Sequence, residues 1–396
     1  MLDEMSPYDA LPPVDTLVLP QESRQNRAIR EAVREVFQIE GEEYHPRQGL
    51  TAVFTGFLLL DSEAAYEQLD ASLSALDQTP LFREKDGVQI VQVVAGRFNP
   101  RPRPWWPNAV LFILTVLSLL YTGAGIALGE ALQDDPSRQL TELWRGWPYA
   151  LAIVLILGSH ELGHYFAARR HRVPVTLPYF IPLPFGFFGT LGAFIQLRAP
   201  LRNRKVLLDV GAAGPLVGMA FAIPILLLGL ATAEVSPLPT DRPYILEGNS
   251  ILYAAAKVVV FGRFLPDGRV DVFMNQLAQA GWTGLFVTGL NLIPVGQLDG
   301  GHVLYTLLGE RARALYLPAV LAMGVLAITV SEAWLLWVLL LMMFGRVYAT
   351  PLDMLTPLDG RRRFIALLAL LIFVLVFVPN PLQLVQPASL PPLEMF

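Results

Sequence analysis

From residue 107 onward, apolar runs alternate with short charged stretches, and most of the runs approach the roughly 20 residues a helix needs to cross a bilayer. The runs cover 107–129, 147–168, 206–231, 282–308, 314–330, 333–343 and 364–378, so residues 105–378 read as a polytopic α-helical membrane domain of about seven spans. Two stretches break the pattern. Residues 176–197 are apolar but carry Pro178, Pro182 and Pro184 and then Gly186, Gly189 and Gly192. That composition favours two extended arms, a re-entrant β-hairpin, over a helix. Residues 251–281 hold Lys257, Arg263, Asp267, Arg269 and Asp271, too many charges for a lipid-facing span, and read as an interfacial or loosely inserted segment.

Ahead of the apolar runs the periodicity is that of a small α+β soluble domain over 24–96. A charged helix is expected over 24–43, a strand over 50–60 and an amphipathic helix over 63–76. Lys85-Asp86-Gly87 between apolar flanks predicts a hairpin over 82–94. Residues 1–23, with Pro12, Pro13 and Pro20, read as a flexible lead, and the proline-rich 379–396 as a loose tail. His45 stands alone and reads as a surface histidine.

Composition agrees with membrane embedding: 54% of the residues are hydrophobic and 16% charged, against about 25% charged in soluble domains. The formal net charge of −5 offers no nucleic-acid footprint. With no cysteine, any metal must be held by nitrogen and oxygen. Arginine and lysine cluster at 97–103, 169–172, 198–205, 311–313 and 346–363, while the intervening loops are poor in them. By the positive-inside rule the chain is a multi-pass protein of the cell membrane, with the N-terminal domain cytoplasmic and the C-terminus external.

The chemistry centres on the second run, where His160, Glu161 and His164 stand in the order H-E-x-x-H. Histidines four apart share one helical face and can reach a single metal ion, and Glu161 projects beside them as a general base for water. Ionisable groups are costly inside a membrane helix, which favours a functional reading. A catalytic zinc needs a third protein ligand. Asp299, in the segment NLIPVGQLDGGH, is the best candidate, because an unpaired anion in lipid needs a cation. Both it and His160 lie about 13 Å from the cytoplasmic ends of their spans at 1.5 Å per residue. His302 is a rival ligand, and Asp209, beside Lys205 at a span mouth, a weaker one.

H-E-x-x-H in one span and N-x-x-P-x-x-x-x-D-G-G in a later one resemble the site-2 protease family of zinc intramembrane metalloproteases. The glycine-rich stretch GAAGPLVG at 211–218 is similar to one on that family's intervening helix. The resemblance covers about 147–308, and the remaining spans with the N-terminal domain resemble the plastid and cyanobacterial-type branch. It implies Zn2+ held by His160, His164 and Asp299, Glu161 as general base, and Asn291 as a group contacting substrate or transition state. It also implies a membrane-protein substrate with a transmembrane helix, met within the lipid bilayer. The competing reading is a non-catalytic membrane-binding or metal-handling protein on the same fold. Glu161 argues against it, since metal holding alone needs no base.

Overall fold

In the first of two units, which are divided after Arg97, charged and apolar residues alternate closely enough to build a four-stranded antiparallel sheet with two helices. The computed structural model describes residues 24–44, 49–129 and 131–386. The lead at 1–23 and His45 lie outside them. Helix α1 (Arg24–Arg34) buries Ile29 and Val33, and strand β1 (Phe37–Tyr44) follows directly. The helix expected over 24–43 therefore stops early. Its second half pairs with β2 (Leu50–Leu58), Phe37 opposite Leu58, and this pairing overrides the helix propensity of the glutamates there.

Helix α2 (Ser62–Ser74) opens on Asp61, whose side chain accepts from the Glu63 N–H at 3.1 Å. Strands β3 (Gln78–Lys85) and β4 (Val88–Ala95) form the expected hairpin. Asp86 (φ +53°) and Gly87 (φ +81°) supply the two positive φ angles that a tight two-residue turn requires. The sheet order is β1-β2-β4-β3, and Phe54, Phe82 and Val91 of the sheet and Leu69 and Leu73 of α2 are all buried.

The second unit begins with α3 (Trp106–Leu128). Two one-turn helices, α4 (Ala131–Asp134) and α5 (Arg138–Thr141), lead to α6 (Trp147–Arg170). A hairpin of β5 (Tyr179–Pro182) and β6 (Thr190–Phe194) comes next, then α7 (Arg204–Ala231). Further on are β7 (Glu234–Pro237), β8 (Tyr244–Glu247), α8 (Ile251–Phe261) and β9 (Val270–Phe273). The chain continues through α9 (Gln276–Asn291), α10 (Asp299–Leu308), α11 (Tyr316–Thr329), α12 (Trp334–Phe344), α13 (Gly360–Val376) and β10 (Leu382–Val385). Helix α7 runs through the middle, where Met219, Ala222 and Leu226 pack with Ile156 of α6 and Trp282 and Leu285 of α9.

Among the described residues, four helical stretches are long and apolar enough to cross a membrane: Trp106–Leu128, Leu143–Arg170, Arg204–Ala231 and Asp299–Thr329. Outside these stretches, α9 has 16 residues, α12 has 11 and α13 has 17. The single run expected over 282–308 is two helices separated by 292–298. Pro294 and Gly296 (φ +62°) interrupt the backbone there, a break that hydropathy alone does not register.

Non-helical backbone among apolar residues must find partners within the protein. Residues 177–189 do so: Ser118 donates to the Gly189 carbonyl (2.6 Å), Tyr149 to Phe188 (2.9 Å) and Asn108 to Leu177 (2.8 Å). In the expected interfacial segment, Lys257 is instead fully buried on α8. The tail expected to be loose is ordered through its first part. Strand β10 pairs with β8, Leu382 opposite Glu247, and the Pro379 carbonyl accepts from the Trp334 indole at 2.7 Å. Residues 387–396 lie outside the described residues.

Candidate metal centre

Helix α6 holds His160, Glu161 and His164, all three buried. An apolar helix tolerates them only if their polar atoms converge on something, and they do. The Nε2 atoms of His160 and His164 lie 3.1 Å apart, and Asp299 Oδ2 is 3.2 Å from the first and 3.3 Å from the second. This near-equilateral triangle matches a tetrahedral ion, whose 2.0–2.1 Å bonds put ligand atoms about 3.3 Å apart. In the neutral ring, His164 Nδ1 donates to the Val210 carbonyl at 2.7 Å. That bond fixes the tautomer and leaves the Nε2 lone pair aimed into the triangle. Two imidazole nitrogens and a carboxylate oxygen, with one face open, fit a catalytic metal ion.

The surrounding sequence explains how α6 and α10 come so close. A Cβ at Gly214 of α7 would stand 2.1 Å from His164 Nε2, so only glycine lets α7 pass the imidazole. Asp299 is the first residue of α10, where the helix N-terminus favours an anion. Behind it, a Cβ at Gly300 would meet the Leu292 carbonyl at 1.9 Å, so the Asp-Gly-Gly sequence allows the 292–298 loop to fold back tightly. Pro215 cannot donate to the Gly211 carbonyl four residues earlier, and Gly211 lines the cavity.

The cavity has a volume of about 220 Å³ and takes in His160, Glu161, His164, Asn291, Asp299 and His302, with Ala193, Phe194 and Ile195 along one side. The Glu161 carboxylate is faced by the Ile195 backbone N–H. Asn291, the last residue of α9, brings Nδ2 to 3.5 Å from His160 Nε2. His302 lies in the cavity wall but outside the triangle, its Nδ1 without a hydrogen-bond partner among the described residues. Asp209 is apart from the site, paired to Arg362 (2.6 Å) and His171 (3.0 Å).

Two contributors escape sequence reasoning. The Val210 carbonyl is a backbone group with no side-chain signal, although GAAGPLVG points to its helix. Gln297 also lines the cavity, and a polar residue two before Asp299 in an apolar run carries the same kind of signal.

Residues 148–336 match peptidase family M50. Over 341 residues the chain is 28% identical to the "probable zinc metalloprotease EGY2, chloroplastic" of Arabidopsis thaliana, covering 83% of this chain and 60% of that protein. It is 30% identical over 268 residues to the rice (Oryza sativa subsp. japonica) protein named EGY1, covering 61% of this chain and 45% of the relative. To the Arabidopsis protein named EGY3 it is 29% identical over 297 residues, 70% of this chain and 50% of that one. The chain thus spans about three-fifths or less of these relatives' lengths. No solved structure matches it.

Proposed function

We propose, from the match of residues 148–336 to peptidase family M50, that the chain is a zinc endopeptidase hydrolysing peptide bonds within or near transmembrane segments of other proteins. The observation that carries this reading is the triangle of His160, His164 and Asp299 with a buried carboxylate, Glu161, on the same cavity. The relatives' names, zinc metalloproteases, support the choice of ion. Zinc on this triad supplies a Lewis acid that polarises a carbonyl and acidifies water.

The residues do the rest. His160, His164 and Asp299 hold the ion, and the Val210 carbonyl keeps His164 in the right tautomer. Glu161 takes a proton from the attacking water and passes it to the leaving amine. Asn291 Nδ2 donates to the substrate carbonyl as charge develops on its oxygen. The substrate lies extended along β6, whose second edge is unpaired among the described residues and borders the cavity. Purified protein should carry one zinc per chain and cleave a reconstituted membrane-spanning peptide. Undiminished cleavage after chelation and loss of the zinc would sink this reading.

The same proposal takes residues 24–96 as a cytoplasmic domain and 105–378 as the protease domain. It carries seven crossings of a cell membrane, the β5–β6 hairpin re-entrant and the C-terminus outside, as the arginine distribution supports. A reporter after Gly129 should read as external and one after Arg204 as cytoplasmic. Reversal at both positions would overturn the orientation.

A further inference from the structure

A second cavity, at the arginine-rich end of the second unit, carries more positive charge than its own carboxylate neutralises. It encloses about 470 Å³ between the end of α6, the first turns of α7 and the start of α13. Arg170, His171, Arg361 and Arg362 rim it, while Leu216 and Ile365, farther along their helices, give it an apolar wall. Asp209 is the only acidic residue in that lining, and it is already taken. Arg362 grips it through Nε (2.8 Å) and Nη2 (2.6 Å), and His171 Nε2 stands 3.0 Å away. That clamp ties α13 to α7 and fixes the cavity's width. Arg170 and Arg361 are exposed, and no carboxylate pairs with either among the described residues. The N-terminus of α13 is already capped by Asp359, whose carboxylate accepts from the Arg362 N–H (2.9 Å) and pairs with its guanidinium (2.6 Å), so Arg170 and Arg361 are the groups left for a ligand.

We infer that this cavity binds the phosphate headgroup of an anionic membrane lipid. Arg170 and Arg361 are free to take the phosphate oxygens in charge-assisted, fork-like hydrogen bonds. The wall of Leu216 and Ile365 receives the acyl chains. A charged rim passing directly into an apolar wall suits a lipid rather than a soluble phosphate, and basic pockets at this level between membrane helices bind such headgroups. The wall also includes Ala213, whose carbonyl is 2.7 Å from where a Gly163 Cβ would stand, one residue from His164. Occupancy therefore braces the α6–α7 contact behind the metal centre.

The full-length chain, purified in a zwitterionic detergent, is titrated with phosphatidylglycerol or phosphatidylcholine. Native mass spectrometry counts retained lipid, and thermal unfolding reads stabilisation. One phosphatidylglycerol per chain should be retained in preference to phosphatidylcholine. Arg170→Gln with Arg361→Gln should weaken that retention about tenfold or more. Arg169→Gln with Arg363→Gln removes the same charge outside the cavity and should leave retention near the parent's. Equal loss in both double variants would mean diffuse surface charge and overturn the site. Equal retention of the two lipids by the parent would overturn it whether or not the variants fold. Displacement of the lipid by millimolar inorganic phosphate would make the ligand a soluble phosphate and overturn the lipid assignment. None of these readouts depends on proteolysis, so failure here is distinct from failure of the protease reading.

Discussion

Two groups of ionisable side chains are buried in the membrane unit, and they satisfy their charges in opposite ways. Around Lys257 the cluster is complementary. Its ammonium lies 3.3 Å from Asp271 and 3.7 Å from Glu247, and 4.4 Å from the centre of the Tyr253 ring. Tyr253 donates to Glu247 at 2.9 Å and the Val272 N–H to Asp271 at 2.8 Å. This cluster joins α8 to β8 and β9 from within, one ammonium held between two carboxylates. Around His160 the side chains that converge are of one kind, lone-pair donors facing each other at 3.1–3.3 Å. Such an arrangement suits a bound cation. Burial of charge therefore does not mark function. What marks it is whether the buried groups answer one another.

The sharpest way to break the comparison is to remove ligands and base from the second cluster separately. His164→Ala or Asp299→Asn should lose most of the zinc and with it the cleavage, since the remaining ligands hold the ion poorly. Glu161→Gln keeps shape and hydrogen-bonding reach but cannot accept water's proton. It should keep near-normal zinc while turnover falls by roughly 10²–10⁴-fold. Zinc content and cleavage are measured on the same preparations. Parental cleavage by Glu161→Gln would remove the general base from the mechanism. Full zinc in Asp299→Asn would send the search for the third ligand to His302, which lies on the same cavity.

The candidate metal centre is legible in the sequence because its groups are expensive where they stand. His160, His164 and Asp299 announce themselves as ionisable residues in apolar runs, and the structure brings them within 4.8 Å of one another. The hairpin after α6 was legible for a related reason, since Pro178, Pro182 and Gly189 cannot continue a helix. What stayed hidden depends on distant partners. Strand β1 takes its form from pairing with the next strand, Phe37 opposite Leu58, and β10 from pairing with the remote β8, Leu382 opposite Glu247. Lys257 looked interfacial because nothing local reveals that Glu247 and Asp271 enclose it. The same holds for the Val210 carbonyl.

The complementary cluster yields the next prediction. Lys257→Met strips the cation from two buried carboxylates and should destabilise the protein by about 3–5 kcal/mol. Pairing it with Glu247→Gln and Asp271→Asn should recover much of that loss, because no uncompensated charge remains. Thermal unfolding of the three variants tests this, and the folded fraction of each should keep its zinc. A Lys257→Met protein as stable as the parent would show that the cluster does not hold α8 in place.

The smallest expected effect concerns the unpaired edge of β6. In an extended strand successive N–H groups point to opposite edges. Beyond β6, the Gln196 carbonyl accepts from the Thr176 N–H (3.1 Å) and the Arg198 N–H donates to Pro174 (2.9 Å), so these residues face the hairpin's other arm. By alternation Ala193 and Ile195 face outward, and both line the metal cavity. A substrate laid along that edge must present its own amides with the same period of two. Substrates N-methylated at one peptide bond at a time, scanned across the residues flanking the cleavage site, leave the enzyme untouched. Each methyl that removes a paired N–H should weaken cleavage about 2–10-fold, the value of one net hydrogen bond. Methyls on the intervening bonds should cost less. An alternating profile supports strand addition at β6. A flat profile, or one that follows the bulk of the methyl rather than its parity, would mean that the substrate enters the cavity without pairing to the hairpin.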